Sequence, residues 1–243
     1  MKFLLTTDTH YGGEYTRDIL NRFWHTVKRE SPDVILHTGD WAGSTYKSVG
    51  KSFKQLREII PTTPVLTVLG NHDIWSYPHQ KPYAFVMDNL MKMFKEYNIH
   101  YLTNGGYQIA DDIFVAGFDG WYFHNNVGTR DISVIDTTIN NIPTFTYLQN
   151  KAYTDMARIL DMENDDDKLI CLTHFQPYSA LGYDINTNDY WGGNPKYLKF
   201  LTDRCDYLCC GHDHFQYDKT VDGCRILNAG SDYDNPKYLT FDL

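Results

Sequence analysis

The chain has 243 residues, a hydrophobic content of 42% and a formal net charge of -9. This length and composition predict one domain over residues 1–243, and no apolar run approaches the roughly 20 residues that a membrane-spanning helix needs. The acidic balance argues against a protein whose main partner is a nucleic-acid backbone, because such binding depends on clustered lysine and arginine.

The cysteines and the N-terminus both favour a cytoplasmic location. The five cysteines lack C-x-x-C spacing, and most lie in apolar segments where a free thiol behaves as a small hydrophobe. We expect them to be reduced, as is usual in the cytoplasm. The first ten residues, MKFLLTTDTH, turn polar at Thr6 and offer no small-residue cleavage site, so we predict no signal peptide.

The first part of the chain alternates short β-type runs with segments of helical spacing. The predicted strands are residues 2–7, 34–37 and 65–69, and the predicted helices are residues 16–29, 47–59 and 84–96. This βαβαβ order is typical of a sheet that is covered by helices.

The pattern changes after Ile99. Short strands interrupted by Asn104-Gly105-Gly106 and Asp111-Asp112 predict hairpins and a second sheet. A helix is predicted over residues 147–161, and strands over residues 168–173, 207–210, 215–220, 224–227 and 238–242. Residues 121–146 are polar and weakly patterned, which favours a lid or insertion, although a surface excursion without a role stays open.

Side chains of the types that bind metals follow five of these strands. They are Asp8-Thr9-His10, Gly39-Asp40, Gly70-Asn71-His72-Asp73, His174 and Gly211-His212-Asp213-His214. The carboxyl ends of neighbouring strands in α/β folds meet at one crevice, so these residues are expected to lie together. A single histidine or aspartate at a strand end is usually a satisfied polar residue or a cap, but five in succession disfavour that reading.

Local geometry supports this interpretation. If the strands continue through them, a period of two places Asp8 and His10 on one side, and likewise His212 and His214. The glycines at 39, 70 and 211 are expected to let the backbone turn sharply. The set suffices for two divalent ions that share one carboxylate, and mixed imidazole and carboxylate ligands suit Zn, Mn or Fe better than Mg or Ca. His37 is a candidate to support the ligands from behind, whereas His25, His79, His100 and His124 are predicted to be structural or surface residues.

These ordered segments, spanning residues 8 to 214, resemble the five motifs of the calcineurin-like metallophosphoesterase superfamily, and Asn228 to Ser231 is similar to the segment that often follows them. The resemblance implies an α/β (α+β) fold, a four-layer αββα sandwich of two mixed β-sheets flanked by helices. It also implies that Asp8, His10 and His214 bind a first metal, that Asp40 bridges, and that Asn71, His174 and His212 bind a second. His72 would serve as general acid, held by Asp73.

The implied activity is hydrolysis of a phosphomonoester or phosphodiester by a water bridging two divalent ions, without a covalent intermediate. Manganese is the ion expected to support activity in vitro. Protein phosphatases of the superfamily follow the bridging aspartate with Asp-Arg-Gly, and purple acid phosphatases place a tyrosine three residues beyond it. This chain has Trp41-Ala42-Gly43 there, and it has Asp73 where the protein phosphatases have glutamate. The sequence is therefore more similar to the small phosphodiesterase and phosphatase branches.

Three alternatives stay open. A nuclease carries the same motifs, although the acidic charge and the lack of a basic patch weigh against it. A cyclic-nucleotide phosphodiesterase is also considered, because aromatic residues that flank the motifs could stack a base, although a packing or rim role for them stays equally open. They are Trp75, Tyr77, Trp121, Tyr122, Tyr183, Tyr190 and Trp191. The third is a binding scaffold of the same fold. The expected partner is a small phosphoester or nucleotide; nucleic acid is not favoured, no membrane partner is expected, and the oligomeric state is open.

Overall fold

A computed structural model describes residues 1–12, 14–76, 80–122, 138–139, 142–162, 167–177 and 201–243. The helices are Glu14–Glu30 (α1), Lys47–Ile59 (α2), Tyr83–Glu96 (α3) and Thr144–Leu160 (α4). The strands are Lys2–Thr6 (β1), Val34–His37 (β2), Val65–Thr67 (β3), His100–Tyr101 (β4), Tyr107–Ala110 (β5), Ile113–Phe118 (β6), Thr138–Ile139 (β7), Ile142–Pro143 (β8), Lys168–Thr173 (β9), Tyr207–Cys210 (β10), Tyr217–Val221 (β11), Cys224–Asn228 (β12) and Tyr238–Asp242 (β13).

Two mixed sheets contain most of these strands. The first has the order β13-β1-β2-β3-β4, in which only β13 pairs antiparallel, and the second has the order β11-β12-β10-β9-β6-β5, with antiparallel strands at both edges. The parallel strands of the first sheet are joined through α1, α2 and α3, as helical crossovers require. Strands β7 and β8 form a separate two-stranded ladder.

The apolar side chains alternate between two sides of each sheet. Leu5 and Leu36 of the first sheet share a buried cluster with Val115 and Leu172 of the second, so these two faces pack on each other. The intervening residues, such as Leu4, cluster instead with the apolar faces of the helices. Helix α4 packs against β6 on the second sheet. The predicted four-layer αββα arrangement of two mixed sheets is therefore confirmed.

The segment after α3 differs from the prediction. Residues 104–106 do not close a hairpin, because β4 pairs in parallel with β3 in the first sheet while β5 belongs to the second. They carry the chain from one sheet to the other. The hairpin lies one step later, where the turn at Asp111-Asp112 joins β5 to β6.

The predicted lid over residues 121–146 lies largely outside the described residues. At its start Trp121 and Tyr122 are buried, and at its end Thr144 already begins α4, three residues before the predicted helix. All five cysteines are buried free thiols, as expected. Within the part of the chain that the structure describes, no helix has both the length and the apolar character needed to cross a membrane.

Candidate metal centre

The ligand-type residues lie at one edge shared by the two sheets. Thr6 of β1 pairs with His37 of β2, which pairs with Thr67 of β3, so these three strands end level with one another. In the second sheet β9 and β10 run parallel and end at the same edge. The loops are joined by backbone hydrogen bonds from Asp8 N to Gly39 O and from Gly211 N to His174 O, both 3.0 Å. All five predicted strand-end segments therefore meet at one place.

Asp8, His10 and His214 form one half of this cluster. The Asp8 Oδ1 atom lies 3.4 Å from His214 Nε2 and 3.8 Å from His10 Nε2, and the two imidazole Nε2 atoms are 3.3 Å apart. One ligand atom from each residue lies within 4.8 Å of the others. Such spacing suits three donors around one ion.

Asp40 stands between the two halves. Its Oδ2 atom lies 3.8 Å from His10 Nε2 and 3.5 Å from His174 Nε2. On the second side, His174 Nε2 lies 3.3 Å from Asn71 Oδ1, and the rings of His174 and His212 are 5.1 Å apart. The structure thus brings all seven predicted metal ligands together, with one carboxylate central to them.

The backbone around these ligands is strained. Asp8, His10, Asp40, His212 and His214 all have positive φ angles, between 44° and 73°, a region that residues other than glycine rarely occupy. The strands end before these residues, so the predicted alternation through continuing strands is wrong. Asp8 and His10 reach the same cluster through left-handed turns, as do His212 and His214. Backbone strain concentrated at the predicted ligand residues supports a functional role for the cluster.

The three glycines do not share one role, which corrects the expectation that each permits a sharp turn. Gly39 has a φ of +95° and needs glycine for its backbone conformation. Gly70 and Gly211 instead allow close packing. A Cβ at Gly70 would clash with the carboxylate of Asp40, and one at Gly211 would clash with the Thr7 hydroxyl and crowd Asp8.

Replacing Gly70 by alanine is expected to displace Asp40 and to remove most metal binding and hydrolysis. Overpacking of this kind costs about 1–3 kcal/mol of folding free energy. Metal content and urea unfolding of the variant measure both effects. Gly12→Ala is the matched control, because its Cβ would meet its nearest neighbour, His10 O, at an ordinary 3.6 Å. Equal metal content in the two variants would contradict this account.

Two buried polar atoms indicate that the cluster fits cations. Asp8 Oδ1 and His212 Nε2 are both buried, and neither has a hydrogen-bond partner among the residues that the structure describes. An unsatisfied buried carboxylate oxygen or imidazole nitrogen costs folding free energy unless an ion or another group binds it. Together with the neighbouring carboxylate and imidazoles, these atoms make a donor set that divalent metals accept.

The protonation states of three of the four ligand imidazoles agree with this fit. Burial lowers the pKa of His10, His174 and His212 below the usual value, so their imidazoles are neutral and offer a lone pair to a metal. Burial lowers the pKa of the fourth, His214, but Asp8 and Asp232 outweigh that effect and raise the pKa to about 9. Burial raises the pKa of Asp8, but the close approach and the positive charge of His214 outweigh that effect and hold the pKa of Asp8 below its ordinary value. Asp8 is therefore ionised.

His72 lies beside the cluster. Its Nδ1 atom is 2.8 Å from Gly43 O, and its Nε2 atom is 3.9 Å from Asp40 Oδ2. The indole of Trp75 stacks on its ring with centroids 3.7 Å apart. Gly43 and Trp75 thus fix the imidazole with Nε2 towards the cluster, and the Gly43 carbonyl favours a proton on Nδ1.

Asp73 does not orient His72, contrary to the prediction. Its carboxylate accepts hydrogen bonds of 2.8–2.9 Å from the backbone amides of Asp40, Ala42 and Gly70. Burial raises the pKa of Asp73 to about 7, and these backbone bonds offset part of that effect. Asp73 therefore holds the loop that carries Asp40 to the loop that carries Asn71, and it is removed from the expected catalytic pair.

Replacing Asp73 by asparagine is expected to lower the free energy of unfolding by about 1–3 kcal/mol, because the new amide group cannot accept all three bonds. Urea unfolding measures the loss. Asp33→Asn is the control, since Asp33 is exposed and its Oδ2 accepts one hydrogen bond within the described residues, from the Lys2 amide at 2.7 Å. A fall in kcat with unchanged stability would instead favour a role for Asp73 in orienting His72.

Several residues that the sequence prediction treated lightly or missed support the ligands. His37 lies behind the loops, where its Nδ1 accepts the Gly39 amide at 3.1 Å and its ring stacks on Trp41. Asp232 was not predicted, yet its Oδ1 lies 3.0 Å from His214 Nδ1. Tyr233 was also missed, and its ring stacks on His10. Both directly follow Asn228–Ser231, the segment that gave the only sequence signal for them.

The predicted base-stacking residues have another role where they are described. Trp75, Trp121 and Tyr122 are each 3% exposed and belong to the buried core. They pack behind the loops and present little surface to a ligand. Tyr77, Tyr183, Tyr190 and Trp191 lie outside the described residues.

Two solved structures share the fold with low sequence identity. Phosphopantetheinyl hydrolase from Mycobacterium tuberculosis superposes with a TM-score of 0.74 at 14% identity, covering 96% of this chain and 90% of that one. A dimetal phosphatase from Danio rerio gives 0.57 at 13% identity, covering 94% and 86%. At such identities the likeness shows the fold alone.

Sequence comparison gives the family. An uncharacterized metallophosphoesterase from Campylobacter jejuni is 24% identical over 189 residues, which are 78% of this chain and 42% of the relative. The chain thus spans about two fifths of the length of the curated relatives that it matches. The profile described as calcineurin-like phosphoesterase matches residues 1–216. The chain belongs to the calcineurin-like phosphoesterase family.

Proposed function

We propose that this protein is a dinuclear metal-dependent hydrolase that cleaves a small phosphomonoester or phosphodiester. The observation that carries the proposal is the central position of Asp40, whose Oδ2 lies within 3.8 Å of imidazoles on both sides of the cluster. A carboxylate so placed suits two ions that share it. Family membership supports the use of divalent metals.

Each half of the cluster would bind one of the two ions. Asp8, His10 and His214 would hold one ion, Asn71, His174 and His212 the other, and Asp40 both. Imidazole nitrogens mixed with carboxylate and amide oxygens suit Mn, Fe or Zn, and manganese is the ion proposed to support activity in vitro. The Danio rerio neighbour, described as a dimetal phosphatase, agrees with this number of ions.

Two such ions would supply an activated water and would stabilise the charge that develops in an in-line displacement at phosphorus. The protein contributes His72 as general acid. With Nδ1 bonded to Gly43 O, protonated His72 directs its Nε2–H towards the cluster, where the leaving oxygen departs. Asn71 offers a neutral oxygen, which adds no negative charge to repel the phosphate.

A small substrate is favoured over nucleic acid. The chain carries a net charge of -9, whereas nucleic-acid binding depends on basic surface. The structural neighbour from Mycobacterium tuberculosis is described as a phosphopantetheinyl hydrolase, and its printed name agrees with a small phosphoester. Cyclic nucleotides remain the second candidate class, because the exposed Tyr233 ring at the cluster offers a surface for a base.

The test is hydrolysis by the manganese-loaded chain of matched phosphomonoesters, phosphodiesters, cyclic nucleotides and oligonucleotides. We expect turnover of one small-ester class, lost with a chelator and restored by manganese. Oligonucleotide cleavage in preference to every small ester would favour the nuclease. Bound metal without turnover of any class would favour the binding scaffold and overturn the proposal.

A cytoplasmic location and a single domain belong to the same proposal. The five buried free thiols suit a reducing compartment. Side chains from both sheets, among them Leu5 and Leu172, share one buried cluster, which supports a single folding unit over residues 1–243.

A further inference from the structure

A tight turn after β12 brings Tyr233 to the metal cluster. The Asp232 amide donates to Asn235 O at 3.2 Å and the Asn235 amide donates back at 2.9 Å. The Asp232 side chain lies 3.0 Å from His214 Nδ1 and accepts the Tyr233 amide at 2.8 Å. The turn is thus fixed on one ligand histidine, and Tyr233 stands at its tip.

The phenol ring of Tyr233 covers another ligand histidine. It lies parallel to His10, with centroids 4.1 Å apart and an interplanar angle of 14°, and its centroid is 5.5 Å from that of His214. His10 is 1% exposed whereas Tyr233 is 48% exposed. One part of the phenol ring therefore covers the cluster, and another part is exposed to solvent beside it.

The ring also lies on the side of the general acid. The centroids of Tyr233 and His72 are 6.2 Å apart. A group attached to the oxygen that His72 protonates must leave the cluster on this side, and an exposed aromatic face stacks planar groups regardless of their polar edges. The indole of Trp75 also stacks on the His72 ring, but it is buried and therefore offers no such surface.

We infer that Tyr233 is a specificity-determining residue that stacks a planar aromatic group on the leaving-alcohol side of the phosphoester. The inference rests on the proposed function, since it concerns the same cluster and the same leaving group. It favours aryl and base-bearing esters over simple alkyl esters. It assigns to the turn at 232–235 the selection of substrate, and to the ligand histidines beneath it the binding of metal.

Calorimetry with two phosphonates that cannot be hydrolysed tests the inference on the manganese-loaded chain. Naphthylmethylphosphonate carries a planar group and methylphosphonate lacks one. We expect the wild type and Tyr233→Phe to bind the naphthyl compound more tightly by about five-fold or more, a factor typical of aromatic stacking. Tyr233→Leu keeps bulk over His10 and is expected to lose that preference while it binds methylphosphonate normally.

Phe215→Leu is the matched control. Phe215 is 51% exposed and adjoins His214, but it makes no ring contact within the described part of the chain. It is expected to leave the preference unchanged. The inference would be overturned if Tyr233→Leu kept the preference for the naphthyl compound, or if it lost affinity equally for both phosphonates. Absence of hydrolysis with an intact, Tyr233-dependent binding preference would instead contradict the proposed function alone.

Discussion

Replacing Asp40 by asparagine is expected to lower kcat/KM for phosphoester hydrolysis by about a thousand-fold or more. Metal ions at such centres contribute several kcal/mol of transition-state stabilisation, and each 1.36 kcal/mol is about ten-fold in rate. The Oδ2 atom that the amide replaces lies 3.8 Å from His10 Nε2 and 3.5 Å from His174 Nε2. The Oδ1 atom, which accepts a hydrogen bond from the His72 amide at 2.9 Å, is kept in the variant, so the fold is expected to survive.

Steady-state kinetics at saturating manganese and metal analysis of the same samples measure this effect. Asp218→Asn is the control, because Asp218 lies on β11 and pairs with Arg225 at 2.7 Å away from the cluster. It is expected to keep wild-type activity. Wild-type turnover by the Asp40 variant would show that no shared carboxylate is needed.

Replacing His72 by asparagine is expected to lower kcat by about 10² to 10⁴ for esters with a poor leaving group, the range typical of general acid catalysis. A 4-nitrophenyl ester is expected to lose much less, because its leaving group departs without a proton. His72 is 8% exposed and holds Nε2 towards the cluster, 3.9 Å from Asp40 Oδ2. Metal content is expected to stay at the wild-type level.

The control for this comparison is His25→Asn, because His25 is exposed on α1 and remote from the proposed chemistry. It is expected to leave both esters unaffected. If the His72 variant lost activity equally on both kinds of ester, or lost its metal, then His72 would be a ligand or a structural residue and the assignment of general acid would fail.

Much of the fold could be predicted because the signals for its strands and helices are local. The bounds of β2, α2 and β9 match the predicted residues, since apolar runs and flanking polar residues define them. The partner of β4 could not be predicted in the same way. Two residues carry no periodicity, and only tertiary contacts decide that they pair with β3 instead of β5.

The candidate site divides similarly. Residue type and position after a strand were sufficient to select Asp40 and His174. The path of the backbone was not predictable, because left-handed conformations at Asp8 and His10 depend on loops contributed by other strands. The role of Asp73 was not predictable for the same reason. Its carboxylate accepts hydrogen bonds from two backbone amides 31 and 33 residues away as well as from the Gly70 amide. Tyr233 reaches the cluster only through the closure of a turn.

The proposed function requires that one shared cluster binds two ions and needs both for hydrolysis. Titration of the metal-free chain with manganese, with bound metal and turnover of a small phosphoester followed on the same sample, tests it most directly. We expect saturation at two ions per chain, with turnover appearing as the second ion binds. Full turnover with one ion bound, or with none, would contradict it.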